Sequence, residues 1–415
     1  MREMKETGIP WLPEVAEYFS VGYVKQYFYV SKDLSNEGEP ERVLKLARAG
    51  IVEKDVTTNE GQMAASYAGY NKVQVGDLLL NPMDLYSGAN CNVSELNGVI
   101  SPAYSNLRAK KAGSIVPKFY DYYFKCQYWL MAMFAHGKGV SFDNRWTLNN
   151  DSLRSYEIPV IPYAVQGHIV ERIQSEERKV DALITNMQAQ IEKLKAYKQS
   201  VITENIAPQD DWRKCRLGQI ANFKNGLNYN GLSTAVEIKF LGVGDFHQNF
   251  RMDKPEMFSN LRFNGDLPKD LFLQNGDIVF VRSNGSKELV GRSVLIDNVD
   301  YPLTYSGFCI RMRNLRKDII RSEFLMFYFW SHTYRQTLNQ NSRGTNISNL
   351  TQEMLSALEI NFPNIELQDE IVDSLSNQME SIDRLIAIKQ AKIEKLEQYK
   401  RSLIYEYVTG KKEVR

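Results

Sequence analysis

The chain has 415 residues, of which 43% are hydrophobic and 24% are charged, and its formal net charge is +1. This length exceeds one ordinary domain and predicts two or three. Four widely spaced cysteines (Cys91, Cys126, Cys215 and Cys309) lack the paired spacing that a zinc site needs. No opening apolar run resembles a signal peptide, and no apolar stretch is long enough to span a bilayer. We therefore expect a cytoplasmic protein with reduced thiols and no metal.

Residues 1–155 predict a first domain of mixed α+β structure. The turn Val75-Gly76-Asp77 precedes an apolar strand, and the aromatic run Phe119–Phe124 predicts a core helix. Residues 156–207 predict one long helix, because apolar residues recur in it every seven positions on one face. Pro162 lies near its expected start and Pro208 follows its end.

Residues 208–360 predict a second domain with the same order of features, and residues 361–415 predict a second long helix. The turn Asn275-Gly276-Asp277 again precedes an apolar strand, and Phe324–Phe329 resembles the first aromatic run. The residues expected to pair the two helices are Val180, Ile184, Met187, Ile191, Leu194 and Val201 in the first, and Ile382, Ile386, Ile393, Leu396 and Leu403 in the second.

The two helical segments are copies of each other. Asp181-Ala-Leu-Ile in the first corresponds to Asp383-Arg-Leu-Ile in the second, an offset of 202 residues, and Gln188-Ala-Gln-Ile-Glu-Lys-Leu corresponds to Gln390-Ala-Lys-Ile-Glu-Lys-Leu at the same offset. Unrelated helices do not share so many residues in one register. The chain is therefore an internal duplication, in which the helices have changed less than the domains.

The order of domains and helices predicts an architecture. The first helix leads directly into the second domain, so the second helix can pack along the first only by running back in the opposite direction. We expect an antiparallel coiled coil with a pseudo-twofold axis, two domains at its opposite ends, and the C-terminus near the first domain. About 38 helical residues reach about 57 Å, which matches roughly 17 base pairs of duplex DNA. Two domains held this far apart could each bind a short DNA sequence, with base pairs between the two sequences that neither domain contacts.

This arrangement resembles the specificity subunits of type I restriction-modification systems. The resemblance covers essentially the whole chain and rests on the Ile-Glu-Lys-Leu-x-x-Tyr-Lys-x-Ser helices and the Asn275-Gly-Asp-Ile-Val-Phe pattern. It implies a bipartite, asymmetric double-stranded DNA target read by two target-recognition domains. It also implies two modification subunits that methylate adenine with S-adenosylmethionine, and restriction subunits that use ATP and Mg²⁺. The chain itself is expected to be non-catalytic and to hold no cofactor.

Candidate DNA contacts are forked donors, amides and hydroxyls on loops, because these groups read base edges and bind phosphates. Each of these loops is equally compatible with a solvated surface. Tyr86, Tyr104, Tyr229 and Tyr305 are weaker candidates, for which core packing is the simpler interpretation. The candidates are Lys45, Arg48, Lys138, Asn144 and Arg145 in the first domain, and Arg282, Ser283, Asn284, Lys287, Arg343, Thr345 and Asn346 in the second.

No catalytic pattern accompanies these residues. Asn81-Pro82-Met83-Asp84 resembles an amino-methyltransferase motif but lacks the aromatic residue that would stack on a flipped base. We interpret it as a structural turn. An alternative function is a protein-binding coiled-coil scaffold, which the near-zero net charge slightly favours, since nucleic-acid binding would require the basic residues to gather on one surface.

Overall fold

A computed structural model describes residues 3–47, 50–56, 64, 66–83, 85–87, 90–139, 146–228, 236–247, 249–263, 267–341 and 349–413. The chain divides into two compact units, and each unit takes segments from both helical repeats. Unit 1 comprises Met1–Met187 and Ala391–Arg415, and unit 2 comprises Gln188–Gln390. Within the described ranges, no helix carries an apolar stretch that would cross a bilayer.

Unit 1 contains the first domain, which has two four-stranded sheets, one of which packs against a buried aromatic helix. The strands are β1 (Met4–Ile9), β2 (Leu12–Ala16), β3 (Ser20–Tyr23), β4 (Phe28–Val30), β5 (Val43–Ala47), β6 (Gly50–Glu53), β7 (Asn71–Val73), β8 (Leu78–Leu80), β9 (Cys91–Val93), β10 (Gly98–Ile100), β11 (Ser105–Ala109), β12 (Lys138–Gly139), β13 (Trp146–Thr147) and β14 (Glu157–Val160). The helices are α1 (Val24–Tyr27), α2 (Pro117–Trp129), α3 (Asn150–Arg154), the first part of α4 (Tyr163–Asn205) and the last part of α8 (Ile365–Val408). The sheet orders are β6-β5-β10-β7 and β4-β11-β8-β9.

Unit 2 contains the rest of α4 and the second domain. Its strands are β15 (Arg213–Arg216), β16 (Ala221–Asn225), β17 (Val236–Leu241), β18 (Arg251–Met252), β19 (Ser259–Phe263), β20 (Ile278–Val281), β21 (Ser293–Ile296), β22 (Leu303–Tyr305), β23 (Cys309–Asn314) and β24 (Glu359–Phe362). Its helices are α5 (Ser322–Trp330), α6 (His332–Asn341), α7 (Gln352–Ala357) and the first part of α8 (Ile365–Val408). The sheet orders are β16-β23-β20-β21-β18 and β19-β17-β22.

The two domains share most of their strand order, although β7 occurs only in the first and β18 only in the second. The antiparallel order β4-β11-β8-β9 recurs as β16-β23-β20-β21, and the parallel pair β5/β10 recurs as β17/β22. A parallel pair needs a long crossover connection, so its presence in both domains is not a local accident. The strand order thus supports the duplication that the sequence predicts, and the α+β fold class is confirmed.

In unit 1, α4 and α8 pack antiparallel. Lys400 Nζ donates a hydrogen bond to Asp181 Oδ1 at 2.7 Å, and Arg172 Nε donates to the Tyr407 hydroxyl at 3.1 Å. The residue number falls along α4 as it rises along α8, which defines opposite helix directions.

In unit 2, the same two helices also pack antiparallel. Lys198 Nζ donates to Asp383 Oδ1 at 2.7 Å, and Lys389 donates to the Gln190 side chain. Lys198 and Asp383 are displaced by 202 residues from Lys400 and Asp181, so one ion pair occurs twice with its partners exchanged. The predicted antiparallel coiled coil is therefore confirmed.

Most residues of the apolar stripes are shielded from solvent, as a paired-helix interface requires. Val180, Ile184, Ile191, Val201, Ile382, Ile393 and Leu403 are buried, and Met187, Leu194, Ile386 and Leu396 are partly buried.

The long helices begin later than the ranges 156–207 and 361–415 imply. β14 pairs with β3 and β24 pairs with β15, so the strand before each helix belongs to the adjacent domain. Pro162 and Pro363 disfavour helical backbone in the residues before them, and the helices begin just after these prolines, at Tyr163 and Ile365.

The end of α8 completes the first domain, as the predicted position of the C-terminus requires. The Ala16 N–H donates to the Thr409 carbonyl at 2.9 Å, and Lys411 lies 3.2 Å from the Glu14 carboxylate. Tyr407 and neighbouring apolar residues of α8 belong to the buried core of that domain.

A buried ion pair fixes the Gly-Asp turn in each domain. Arg108 Nε and Nη2 donate to the two carboxylate oxygens of Asp77, each at 2.7 Å. Arg313 binds Asp277 in the same bidentate way at 2.8 and 2.7 Å. The preceding glycines, Gly76 and Gly276, have φ values of +93° and +87°, a backbone conformation that glycine adopts without strain.

Two buried glutamines anchor the starts of the long helices. Gln166 Oε1 accepts the Val116 N–H at 2.7 Å, while its Nε2 donates to the Ile161 carbonyl at 2.9 Å. Gln368 bonds to the backbone of Arg321 and Pro363 in the equivalent way. Each glutamine therefore ties its helix to the preceding strand and to the aromatic helix of the same domain.

We predict that Asp277→Ala lowers the free energy of unfolding by about 3 kcal/mol or more, because it leaves the half-buried Arg313 guanidinium without its partner. Urea unfolding measures the change in the free energy of unfolding, and hydrogen exchange at β20 and β23 reports where the structure is weakened. Asp297→Ala is the matched control, since Asp297 pairs with Arg251 at the surface and such pairs contribute about 0–1 kcal/mol. Equal losses for both variants would contradict the structural role of the buried pair.

Candidate nucleic-acid interface

Equivalent loops follow the first strand after the Gly-Asp turn in each domain. Pro82 follows β8 in the first domain, and Arg282 follows β20 in the second. The Pro82 carbonyl accepts a hydrogen bond from the Leu148 N–H at 2.8 Å, and the Arg282 carbonyl accepts one from the Leu350 N–H at 2.8 Å. The two loops therefore share a backbone framework but carry different side chains.

A second pair of equivalent turns connects β10 to β11 and β22 to β23. The Ser101 hydroxyl oxygen accepts the Ala103 N–H at 3.3 Å, and the Ser306 hydroxyl oxygen accepts the Phe308 N–H at 3.2 Å. The Phe308 carbonyl also accepts the Arg282 N–H at 2.8 Å. In the second domain, the loop and the turn thus form one continuous surface.

In the first domain, these segments border an open cleft of about 460 Å³. It is lined by Val30, Ser31, Lys32, Asn71, Pro82, Met83, Pro102, Ala103, Tyr104, Ser105, Thr147, Leu148, Asn149 and Asn150. Ammonium, amide and hydroxyl groups dominate its polar lining, and these are the groups that bind phosphates and base edges.

Some of the cleft amides also hold the cleft together. Asn71 is buried and donates to the Tyr104 carbonyl at 3.3 Å. Asn149 Oδ1 accepts the Ser152 N–H at 2.8 Å and caps α3. Lys32 is exposed at the cleft and therefore offers a positive charge to a ligand.

In the second domain, Arg282, Ser283 and Asn284 are each partly exposed. Asn284 Oδ1 accepts the Ser286 N–H at 2.8 Å, which fixes the loop, and Ser283 forms a β-bridge with Asn349. The loop therefore presents a guanidinium, a hydroxyl and an amide on an ordered backbone.

The other predicted DNA contacts fall into two groups. Lys138 in β12 pairs with Thr147, which lines the cleft, so Lys138 lies at the cleft rim. Lys45 is exposed in the middle of β5, in the other sheet, and is not part of the cleft lining. Arg48, Asn144, Arg145, Arg343, Thr345 and Asn346 lie outside the described residues, as does the side chain of Lys287. Their contacts with DNA stay predictions.

The four tyrosines have different environments. Tyr305 is buried, which raises the pKa of its phenol to about 12, and it belongs to the core. Tyr104 lines the cleft and Tyr86 is exposed. Tyr229 lies outside the described residues.

Local hydrogen bonds hold residues 81–83 of the methyltransferase-like segment, and Asp84 lies outside the described residues. Asn81 Oδ1 accepts the Met83 N–H at 3.0 Å, and the Asn81 carbonyl accepts the Tyr128 hydroxyl at 2.9 Å. Burial raises the pKa of the Cys91 and Cys309 thiols, which makes them poor nucleophiles. Within the described ranges, no three His, Cys, Asp or Glu side chains are grouped to hold a metal ion.

Sequence reasoning missed several polar residues of this surface. Lys32, Asn71 and Asn150 lie far apart in the sequence and meet only when the two sheets of the first domain assemble. Asn349 aligns with Thr147 at the helical offset of 202 residues, so extending the repeat through the loops would have found it.

Comparison with known proteins points to one family. Residues 209–398 match a family model described as the type I restriction modification DNA specificity domain. The type I restriction enzyme MjaVIII specificity subunit of Methanocaldococcus jannaschii is 22% identical, over 93% of this chain and 86% of the relative. The StySPI specificity subunit of Salmonella potsdam is 24% identical, over 62% of this chain and 57% of the relative.

A solved structure shares the fold. One of its chains superposes with a TM-score of 0.71 and 12% sequence identity, covering 95% of this chain and 98% of that chain. That structure is described as showing complex assembly and conformational transition of the type I R-M system.

Proposed function

Because this chain belongs to the family of type I restriction-modification specificity subunits, we propose that each of its two domains reads one half of an interrupted, asymmetric DNA sequence. The observation that carries this proposal is that equivalent loops of the two domains have the same backbone hydrogen bonds but different side chains. Pro82 and Ala103 occupy positions in the first domain that Arg282 and Phe308 occupy in the second. Two domains that differ at these positions recognise different bases.

The paired helices are proposed to set the number of unread base pairs between the half-sites. α4 has 43 residues and α8 has 44, and each lies antiparallel to the other in both units. Half-site spacing follows protein geometry in other DNA-binding proteins. The helices are also the proposed docking surface for partner subunits, because they are the most similar parts of the two repeats.

The chain is a non-catalytic subunit, so chemistry on DNA belongs to its proposed partners. We expect two modification subunits that bind S-adenosylmethionine and methylate adenine. We also expect restriction subunits that use ATP and Mg²⁺ to move DNA.

Domain exchange tests independent reading by the two domains. We predict that a host expressing this chain with its modification subunit methylates adenine in a bipartite, asymmetric sequence, as measured by sequencing of the methylated genome. Replacement of residues 1–155 by the corresponding domain of another family member changes one half of that sequence and leaves the other half intact. A change in both halves contradicts independent reading.

Salt dependence separates DNA recognition from the alternative, a protein-binding scaffold. Each phosphate contact releases counterions, so the logarithm of the binding constant falls with log salt by about 0.9 per contact. We predict that the binding constant of the complex with the modification subunit, measured on a duplex that carries the methylated sequence, falls steeply as the salt concentration rises. Affinity independent of salt supports the scaffold function instead.

We predict that Arg282→Ala weakens binding of the assembled complex to its target by about tenfold or more, because a bidentate contact with a base or a phosphate is lost. Titrations on cognate and substituted duplexes measure the change. If Arg282 contacts a base, its loss relaxes specificity at one position. If it contacts a phosphate, its loss lowers the affinity for all sequences. Arg251→Ala is the control, since Arg251 is committed to Asp297, and equal behaviour of the two variants contradicts a role for Arg282.

A further inference from the structure

Among the described residues of the candidate interface in the second domain, Phe308 is the most exposed large apolar residue. Its side chain is 63% exposed, although the adjacent Gly307 and Cys309 are both buried. A single exposed apolar residue on a protein surface is ordinary. The turn around Phe308, however, is held by hydrogen bonds in a conformation that leaves the ring in solvent.

The turn that carries Phe308 is braced on several sides. The Phe308 N–H donates to the Ser306 hydroxyl oxygen, and the Gly307 N–H donates to the Leu227 carbonyl at 2.8 Å. A Cβ atom on Gly226 would lie 2.2 Å from the Ser306 carbonyl oxygen, so the neighbouring backbone packs directly on this turn. The ring is therefore presented by a rigid support and not by a loose loop.

The position of Phe308 links it to the residues predicted to bind DNA. Its carbonyl accepts hydrogen bonds from the N–H groups of Arg282 and Ser283, at 2.8 and 3.4 Å. The ring therefore belongs to a surface that also carries a guanidinium, a hydroxyl and an amide. An exposed aromatic ring among such donors matches the chemistry of base contact, in which apolar groups meet a base face or a thymine methyl.

The first domain supplies an internal comparison. The Ala103 N–H donates a hydrogen bond to the Ser101 hydroxyl oxygen, as the Phe308 N–H does to that of Ser306. Ala103 also lines the open cleft. One framework position thus carries a methyl group in one domain and a phenyl ring in the other. The backbone hydrogen bonds of the turn are retained while its side chain differs, so the fold fixes where this side chain stands and leaves its identity free to differ between the domains.

We propose that Phe308 is a specificity-determining residue that contacts a base, through its ring, in the half-site read by the second domain. This inference rests on the proposed function, since it requires that the second domain reads DNA. The ring contributes by van der Waals and stacking contact with one base and makes no contact with the half-site of the first domain.

The test uses the complex of the full chain with its modification subunit. The target is first determined by methylated-genome sequencing, and its second half is assigned by the exchange of residues 1–155. For Phe308→Ala, we expect at least a tenfold loss of affinity for the target duplex, together with loss of base preference at one position of that half-site. Leu315→Ala is the matched control, because Leu315 is 62% exposed in the same domain, and it should stay within twofold of the unmodified chain.

Phe308→Leu separates two modes of contact, and both support the inference. Retained preference indicates packing against a thymine methyl, whereas loss equal to that of Phe308→Ala indicates stacking on a base. Unchanged affinity and methylation sequence for Phe308→Ala would overturn the inference, as would weakened assembly with the modification subunit without any change in base preference. If the unmodified complex prefers no sequence, the proposed function fails instead. Circular dichroism and urea unfolding verify that the variants fold.

Discussion

The pairing of α4 with α8 is the constraint on which the rest of the molecule depends. Neither helix can bury its apolar stripe alone, and each compact unit contains a segment of both. A fully buried aliphatic side chain contributes about 1.5–3 kcal/mol, whereas an exposed ion pair contributes about 0–1 kcal/mol, so the stripe supplies the stability. Lys198 and Lys400 supply the register, since each lies among apolar positions and reaches an aspartate of the opposite helix. Polar residues at such positions specify alignment in paired helices.

After the duplication, the two domains have kept the same buried framework, whereas their surface side chains have diverged. Asp77 with Arg108 and Asp277 with Arg313 keep the same bidentate geometry, because a half-buried charge without its partner is strongly destabilising. Pro82 and Arg282, which stand on that framework, differ in size and charge. A surface loop can change its side chains at little cost when its backbone hydrogen bonds are retained. This division explains how one fold presents two surfaces with different side chains.

The sequence predicted what depends on local periodicity and on the repeat: two domains, two long helices and their antiparallel pairing. It did not predict the strand order, because the parallel pairing of β5 with β10 joins segments more than fifty residues apart. Strand β14 and the last two residues of β24 were included in the helical ranges, since the pairing of these strands with distant strands has no local signature. Gln166 and Gln368 were not predicted, although both copies carry this polar residue at the offset of 202 residues. Phe308 was not predicted either, because nothing in the run from Tyr305 to Met312 distinguishes an exposed ring from a buried one.

The contact between the last turn of α8 and the N-terminal hairpin makes the order of synthesis important. Tyr407 and its apolar neighbours complete the core that begins at Leu12, so the first domain to leave the ribosome is the last to be finished. Until α8 has been synthesised, the nascent chain exposes apolar surface that this helix covers in the folded protein. A stop codon before Leu403 therefore leaves the core around Leu12 open, nearly four hundred residues upstream.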